Sequence, residues 1–144
     1  MQLLLRNYHL HQHDASLIHA IRSIDKMIQG GIYDHLGGGF ARYSTDVQWQ
    51  APHFEKMLYD NALLINVLCD AYQLTFNRKY EDAIRKTILF VKNELLSDEG
   101  GFYAALDADS EGEEGKYYVW QKEEVEKIID TAEDCNHGKI NYSD

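Results

Sequence analysis

Acidic, basic and aromatic side chains are concentrated between positions 40 and 60 of the chain. This segment contains six candidates for contact with a substrate: Arg42, Tyr43, Trp49, Glu55, Tyr59 and Asp60. Aromatic rings pack against the apolar faces of a sugar, while charged groups form hydrogen bonds with the hydroxyls at its rim. The composition of the segment therefore predicts a surface that binds a carbohydrate.

His53 is the candidate general acid or base of the same segment. In a helix that begins near Pro52, His53 and Asp60 share an otherwise apolar stripe, because they are seven residues apart. Burial and mutual charge would then shift the pKa of both groups, as acid–base catalysis requires. A second interpretation is a structural ion pair or hydrogen-bond network that fixes the loop to the helix, since such networks also perturb pKa values. The sequence leaves both interpretations open.

Asp107 and Asp109 are the candidate carboxylate partners of His53, because they follow a predicted strand and lie near the expected site. The glutamates that come next are expected to form a solvated hairpin turn: Glu111, Glu113 and Glu114. A calcium loop is the weaker alternative, because its twelfth position requires a bidentate Glu and is occupied by Tyr118. Three histidines near the start lack a nearby cysteine or carboxylate set: His9, His11 and His13. We therefore predict no metal site and no cofactor.

The composition excludes several classes of protein. Of the 144 residues, 44% are hydrophobic and 26% are charged, as in a globular domain rather than a disordered chain. The net charge of −10 argues against a nucleic-acid or anionic membrane partner, since both attract clustered Lys and Arg. No apolar run approaches the ~20 residues of a membrane span, and no targeting segment is evident, so a cytoplasmic location is expected. Cys69 and Cys135 form neither a disulfide framework nor a CxxC motif.

Hydrophobic periodicity predicts a helical chain with a long glycine-rich loop. The predicted helices are Ala15–Gln29, His53–Thr75, Tyr80–Leu96 and Lys122–Thr131, the loop is Ile32–Gln50, and two short strands are Phe102–Leu106 and Lys116–Trp120. Apolar residues cover most of His53–Thr75, so we expect an inner helix there, and an outer helix at Tyr80–Leu96, which is apolar on one face. The Gly-Gly-aromatic stretches near positions 30 and 100 are then expected at one mouth of a helical assembly. Residues 136–144 are expected to form a polar tail.

Several long motifs resemble those of a known family. The resemblance is carried by GGFARYS (38–44), PHFEKMLYDN (52–61) and LDADSEG (106–112), which are similar to the thioredoxin-domain-containing family of spermatogenesis-associated protein 20 and its bacterial relatives. That family joins a thioredoxin-like domain to an (α/α)6 toroid similar to six-hairpin glycosidases and N-acylglucosamine 2-epimerases. The resemblance implies that residues 1–135 form an all-α partial toroid of about two helical hairpins, with long Gly/aromatic loops and a short β-hairpin at one mouth. The thioredoxin-like domain is expected to be absent.

The resemblance also indicates a function. The expected role is to bind a carbohydrate at the toroid mouth, with hydrolysis or epimerisation as the candidate reactions of the complete protein. The alternative is a non-catalytic toroid that acts as a scaffold for a protein partner or for a fused thioredoxin-like domain. A closed ring of six hairpins needs ~300 residues, which exceeds an ordinary domain. The chain is therefore expected to be a fragment that is inactive by itself, and either to self-associate through the truncated helical face or to be the ordered remnant of a longer chain.

Overall fold

The computed structural model describes the backbone of residues 1–137 and the side chains of residues 1–129. The chain is mostly helical, with small antiparallel strand pairs. Its helices are α1 (Gln2–His11), α2 (Asp14–Gln29), α3 (Leu58–Thr75), α4 (Arg78–Phe90) and α5 (Lys122–His137), and a π-helical turn (Val91–Leu95) follows α4. The strands are β1 (Tyr43–Ser44), β2 (Pro52–His53), β3 (Lys56–Met57), β4 (Ala105–Leu106), β5 (Asp109–Ser110) and β6 (Glu113–Glu114), paired as β1–β2, β3–β4 and β5–β6.

The chain divides into two compact units, Met1–Ala108 and Asp109–Asp144. The first unit contains α1 to α4, the π-helical turn and β1 to β4, and the second contains β5, β6 and α5. The helix predicted at Lys122–Thr131 continues to His137. The polar tail predicted at 136–144 overlaps the end of α5, and its residues 138–144 lie outside the described residues. No helix of the described chain is long and apolar enough to cross a membrane.

Helices α1 and α2 pack against each other through one face of α2. Residues four apart on that face are buried, and they are Ser16, Ala20, Ile24 and Ile28. Burial at this interval is the signature of an amphipathic helix that lies on a core. The prediction of a helix at Ala15–Gln29 is confirmed, with the helix beginning one residue earlier. The side-chain amide of Asn7 donates to the Ser16 hydroxyl at 2.8 Å and so joins the two helices.

The helix predicted at His53–Thr75 is wrong in its first five residues, because α3 begins at Leu58. Pro52–His53 instead pairs with β1, and Lys56–Met57 pairs with β4, so the backbone is extended where a helix was expected. β1 lies eight to ten residues away in sequence and β4 about fifty, and pairing with both overrides the local helical preference. His53 and Asp60 therefore do not share a helical stripe.

The α3–α4 pair forms the other half of the core of the first unit. Its buried side chains are Asn61, Val67, Leu68 and Ala71 on α3, and Tyr80, Ala83, Thr87 and Phe90 on α4. Asn77 caps α4 by accepting a hydrogen bond from the Lys79 backbone at 3.1 Å, which explains the tight connection between the helices. The helix predicted at Tyr80–Leu96 begins at Arg78, and its last turn is the π-helical turn.

The strands differ most from the prediction. Of the segment Phe102–Leu106, only Ala105–Leu106 is a paired strand, while Phe102 forms a single bridge with Leu96. The strand predicted at Lys116–Trp120 is wrong, because most of that segment is a turn. The hairpin lies earlier, where Ser110 pairs with Glu113 around a two-residue loop. Both loop residues have positive φ (Glu111 and Gly112), and such a loop matches the twist of its flanking strands.

Candidate functional site

The extended segment 52–57 lies at the centre of the candidate site. On one side His53 pairs with Tyr43, and the Arg42 backbone donates to the Glu55 carbonyl at 2.9 Å. On the other side Lys56 pairs with Leu106. Side chains alternate between the two faces of extended backbone, so Lys56 points away from its neighbours in sequence. The segment thus directs Lys56 into the core and places His53 and Glu55 beside Tyr43 and Arg42.

An ion pair joins the loop to this segment. The Arg42 guanidinium and the Glu55 carboxylate are 2.9 Å apart, and the side chains are 46% and 24% exposed. Asp60 lies nearby, in the first turn of α3. Burial raises the pKa of the Asp60 carboxyl above its ordinary value, Arg42 opposes this shift, and the negative charge of Glu55 adds to it. The structure therefore brings together three of the predicted site residues.

Two aromatic side chains border the ion pair. The Tyr43 ring stacks on the His53 imidazole with 5.0 Å between ring centroids and an angle of 20°. Tyr59 precedes Asp60 in the first turn of α3. About half of each tyrosine is exposed, so both present an aromatic surface to solvent. Six of the nine predicted site residues thus lie on or beside one part of the first unit.

Trp49 is held elsewhere in the hairpin that connects β1 and β2. Its backbone has a φ of 62°, and its carbonyl accepts a hydrogen bond from the Gly31 backbone at 2.6 Å. A Cβ atom on Gly31 would lie 2.1 Å from the Gln50 carbonyl oxygen, so only glycine permits this approach. The pair Gly30–Gly31 therefore ends α2 and also seats the turn that carries Trp49.

The two predicted catalytic aspartates lie in different compact units. Asp107 is exposed and directly follows β4, one position beyond the pairing of Leu106 with Lys56. Asp109 belongs to β5 and pairs with Glu114 in the second unit. Asp107 is thus next to the central segment along the β3–β4 ladder, whereas Asp109 is part of the acidic hairpin.

A buried lysine is the main feature that the sequence analysis missed. Lys56 is 3% exposed, and its Nζ atom donates to Asp34 Oδ2 at 2.7 Å and to the Gly38 carbonyl at 3.0 Å. The same ammonium lies 4.6 Å from the centre of the Phe90 ring. The sequence around Lys56 offers little signal of burial, since Glu55 precedes it and Met57 follows it. Through the bond to Gly38, Lys56 connects the glycine turn at 37–39 to the core.

Burial shifts the pKa values of Lys56 and Asp34 in opposite directions, because it disfavours the charged form of both groups. Burial lowers the pKa of Lys56 below the ordinary lysine value, although Asp34 partly offsets the shift. Burial by itself would raise the pKa of Asp34, but the hydrogen bonds from Lys56 and from the Gly37 and Leu36 backbone lower it overall. The carboxylate is therefore well stabilised, whereas the buried ammonium depends on its partner.

Asn61 completes the connection between the loop and α3. Its side chain is fully buried, accepts from the Phe40 backbone at 2.7 Å and donates to the Phe40 carbonyl at 3.0 Å. It also donates to the Met57 carbonyl at 2.9 Å. The Asn61 side chain thus bonds both the N–H and the carbonyl of Phe40, as a neighbouring strand would. This fixes the backbone two residues before Arg42. Asp34, Lys56 and Asn61 thus connect the loop to the central segment and to α3. The structural role considered from the sequence for His53 and Asp60 stays a prediction.

The described part of the chain contains no cluster of side chains with the geometry of a metal site. Among those residues no group of three or more His, Cys, Asp or Glu side chains is arranged to hold a metal ion.

Comparison with known proteins identifies relatives over most of the chain. No family model matches the chain. The human and mouse proteins named spermatogenesis-associated protein 20 are each 46% identical over 116 residues, or 76% of this chain. An uncharacterized protein of Caenorhabditis elegans is 38% identical over 117 residues, or 75% of this chain. The chain spans only 15% of the length of the human and mouse relatives. Over three quarters of its length, the chain is therefore homologous to proteins named spermatogenesis-associated protein 20.

Proposed function

We propose that the first unit supplies one wall of a carbohydrate-binding site in a six-hairpin, glycosidase-like toroid. The observation that carries the proposal is the half-exposed Tyr43 ring, stacked on His53 beside the Arg42–Glu55 ion pair. A sugar could place its apolar face on the tyrosine and direct its hydroxyls towards the charged groups. A sugar hydroxyl both accepts and donates hydrogen bonds. It could therefore accept a hydrogen bond from Arg42 and donate one to Glu55.

Asp60 is the acid of this proposal when the complete protein acts on the bound sugar. Its raised pKa favours retention of a proton, which it would donate to the leaving oxygen as the glycosidic bond breaks. Water would supply the hydroxyl to the anomeric carbon, and Glu55 would accept the proton that the water loses. His53 would provide a second proton-transfer group for an epimerisation. The catalytic roles predicted from the sequence for Asp107 and Asp109 stay predictions.

Thermal protection by saccharides tests the binding step on this chain. The probes are glucose, N-acetylglucosamine and their β-1,4-linked disaccharides, each titrated while the unfolding midpoint is measured. A saccharide at a hundred times its Kd should add about 2.7 kcal/mol to the free energy of unfolding. Tyr43→Ala and Glu55→Gln should abolish the protection, whereas Tyr103→Ala, a matched change of an exposed tyrosine, should keep it. Absence of protection by every saccharide would contradict the proposal.

A non-catalytic scaffold is the second candidate, and one observation favours it. The Arg42–Glu55 pair bridges the loop and the central segment, so it can act as a structural link in parallel with Lys56 and Asn61. On this alternative, Arg42→Ala lowers the unfolding midpoint of the free chain and no saccharide changes it. The same titration therefore separates the two candidates.

A further inference from the structure

A cleft between α1 and α3 has the features of a second, separate site. Its volume is about 300 Å³, at the lower end of the range for small-molecule pockets. Leu5 and Leu74 provide its apolar lining, and five polar side chains complete it: Gln2, Arg6, His9, Asp70 and Gln73. A small ligand in this cleft would find apolar surface and charged groups within the same space.

The helical periods of α1 and α3 explain why these residues converge. On α1, Gln2, Arg6 and His9 are separated by four and three residues, so they lie on one face. On α3, Asp70 lies one turn before Gln73 and Leu74, and the two helices pack against each other. Asp60 lies ten residues before Asp70, which places the two carboxyls about 15 Å apart along the helix axis. The cleft is therefore distinct from the proposed carbohydrate site.

Arg6 and Asp70 give the cleft opposite charges on opposite walls. Both side chains are exposed. Among the residues whose side chains the structure describes, neither forms an ion pair or a side-chain hydrogen bond. An arginine fork binds a carboxylate through two parallel hydrogen bonds, and an aspartate binds an ammonium group. Arg6 on α1 can therefore bind a negative group, and Asp70 on α3 can bind a positive group.

We propose that the cleft binds a zwitterionic α-amino acid with an aliphatic side chain. Its carboxylate would bind Arg6, its ammonium group would bind Asp70, and its side chain would cover Leu5 and Leu74. A simple anion would meet the charge of Asp70 within a chain whose net charge is −10, and a simple cation would meet Arg6. A ligand that carries both charges satisfies both walls at once.

The test is titration of the chain with L-leucine, followed by calorimetry and by the NMR shifts of the α1 and α3 backbone. Saturable binding with shifts confined to the cleft is expected. N-acetyl-L-leucine, which lacks the ammonium group, and L-leucinamide, which lacks the carboxylate, should each bind at least tenfold more weakly. Arg6→Gln and Asp70→Asn should weaken L-leucine binding by a similar factor. Arg22→Gln, a matched change of an exposed arginine on α2, should leave it unchanged.

Two results would overturn the proposal. One is the absence of saturable L-leucine binding, or equal binding of all three compounds. The other is an Arg6–Asp70 ion pair that closes across the cleft in solution. In that case Arg6→Gln and Asp70→Asn would each lower the unfolding midpoint of the free chain, their effects would not add, and L-leucine binding would not respond to either change.

Discussion

Three hydrogen bonds converge on the buried side chain of Asn61, so this one amide satisfies backbone groups of both the loop and the central segment. Asn61→Leu keeps a side chain of similar size but leaves Phe40 and Met57 backbone groups without that partner. Each buried polar group that loses its partner costs about 1–3 kcal/mol. We expect a loss of roughly 3 kcal/mol or more in the free energy of unfolding, measured by urea denaturation.

Asn66 provides the matched control for this change, because it is exposed on the same helix. Asn66→Ala should alter the free energy of unfolding by less than about 0.5 kcal/mol. A small, equal effect of the two substitutions would mean that the Asn61 hydrogen bonds do not stabilise the loop.

The Lys56–Asp34 pair makes a prediction about pH. In the wild type, the lowered pKa of Asp34 means that its stabilising effect is complete above the ordinary aspartate range and is lost as the pH falls through the folded-state value. Asp34→Asn removes the carboxylate that lies 2.7 Å from the Lys56 ammonium, which keeps the Gly38 carbonyl and the Phe90 ring among its contacts. At neutral pH this variant should lose about 3 kcal/mol, the usual cost of removing one partner from a buried pair.

The deficit of Asp34→Asn should shrink as the pH rises. The pKa of Lys56, already lowered by burial, falls further without Asp34, so the folded variant binds fewer protons than the unfolded chain up to the ordinary lysine range. Its free energy of unfolding should therefore rise between pH 7 and 10 relative to the wild type, as measured by urea denaturation. Asp98→Asn, at an exposed position, serves as the control. A constant difference from the wild type across this range would contradict the argument.

The glycine turn between α2 and α3 is an element whose backbone and packing both require glycine. Gly39 has a φ of +79°, and a Cβ atom there would lie 2.4 Å from the Phe90 ring. Gly39→Ala combines an unfavourable backbone conformation with overpacking, so we expect a loss of about 2–4 kcal/mol by urea denaturation. Gly100 has a similar φ of +84° but nothing within 4 Å, so Gly100→Ala should cost only about 1–2 kcal/mol. Equal losses would show that the contact with Phe90 is unimportant.

The elements that could be predicted from sequence are those set by local periodicity. The buried face of α2 repeats every four residues, and the cap at Asn77 begins α4, so both helices follow from residues close together in the chain. The extended segment 52–57 could not be found in this way, because its form depends on Tyr43 and Leu106, which are ten and fifty residues from their partners. Local patterns carry no information about such pairings.

The candidate site was predictable in composition but only partly in geometry. The cluster of charged and aromatic residues near position 50 was visible, and the structure joins Arg42 to Glu55 and Tyr43 to His53. The helical relation of His53 to Asp60 was wrong because it assumed a helix from Pro52. Lys56 escaped notice since a lysine is ordinarily exposed, and only tertiary structure places it beside Asp34.

At the scale of the whole molecule, net charge and exposed apolar residues act against each other. The chain carries a net charge of −10, which opposes close approach of two copies at low ionic strength. On α1, however, Leu3 and Leu10 are 78% and 64% exposed, and their seven-residue spacing places them on one helix face. Covering a leucine contributes about 1.5–3 kcal/mol, so four such residues in a symmetric pair would oppose a comparable cost of association.

We propose that two copies associate weakly through this face of α1. The dependence of association on salt concentration distinguishes this model from association through ion pairs. Added salt screens the repulsion between two acidic chains, so association through apolar contacts should strengthen from 50 to 500 mM NaCl. Leu3→Glu with Leu10→Glu should abolish it, whereas Leu36→Glu, at a loop residue that is 93% exposed, should leave it intact. Sedimentation velocity over a range of protein concentrations measures each case. A monomer at every concentration and salt level would contradict the model, and association that weakens with salt would assign it to ion pairs instead.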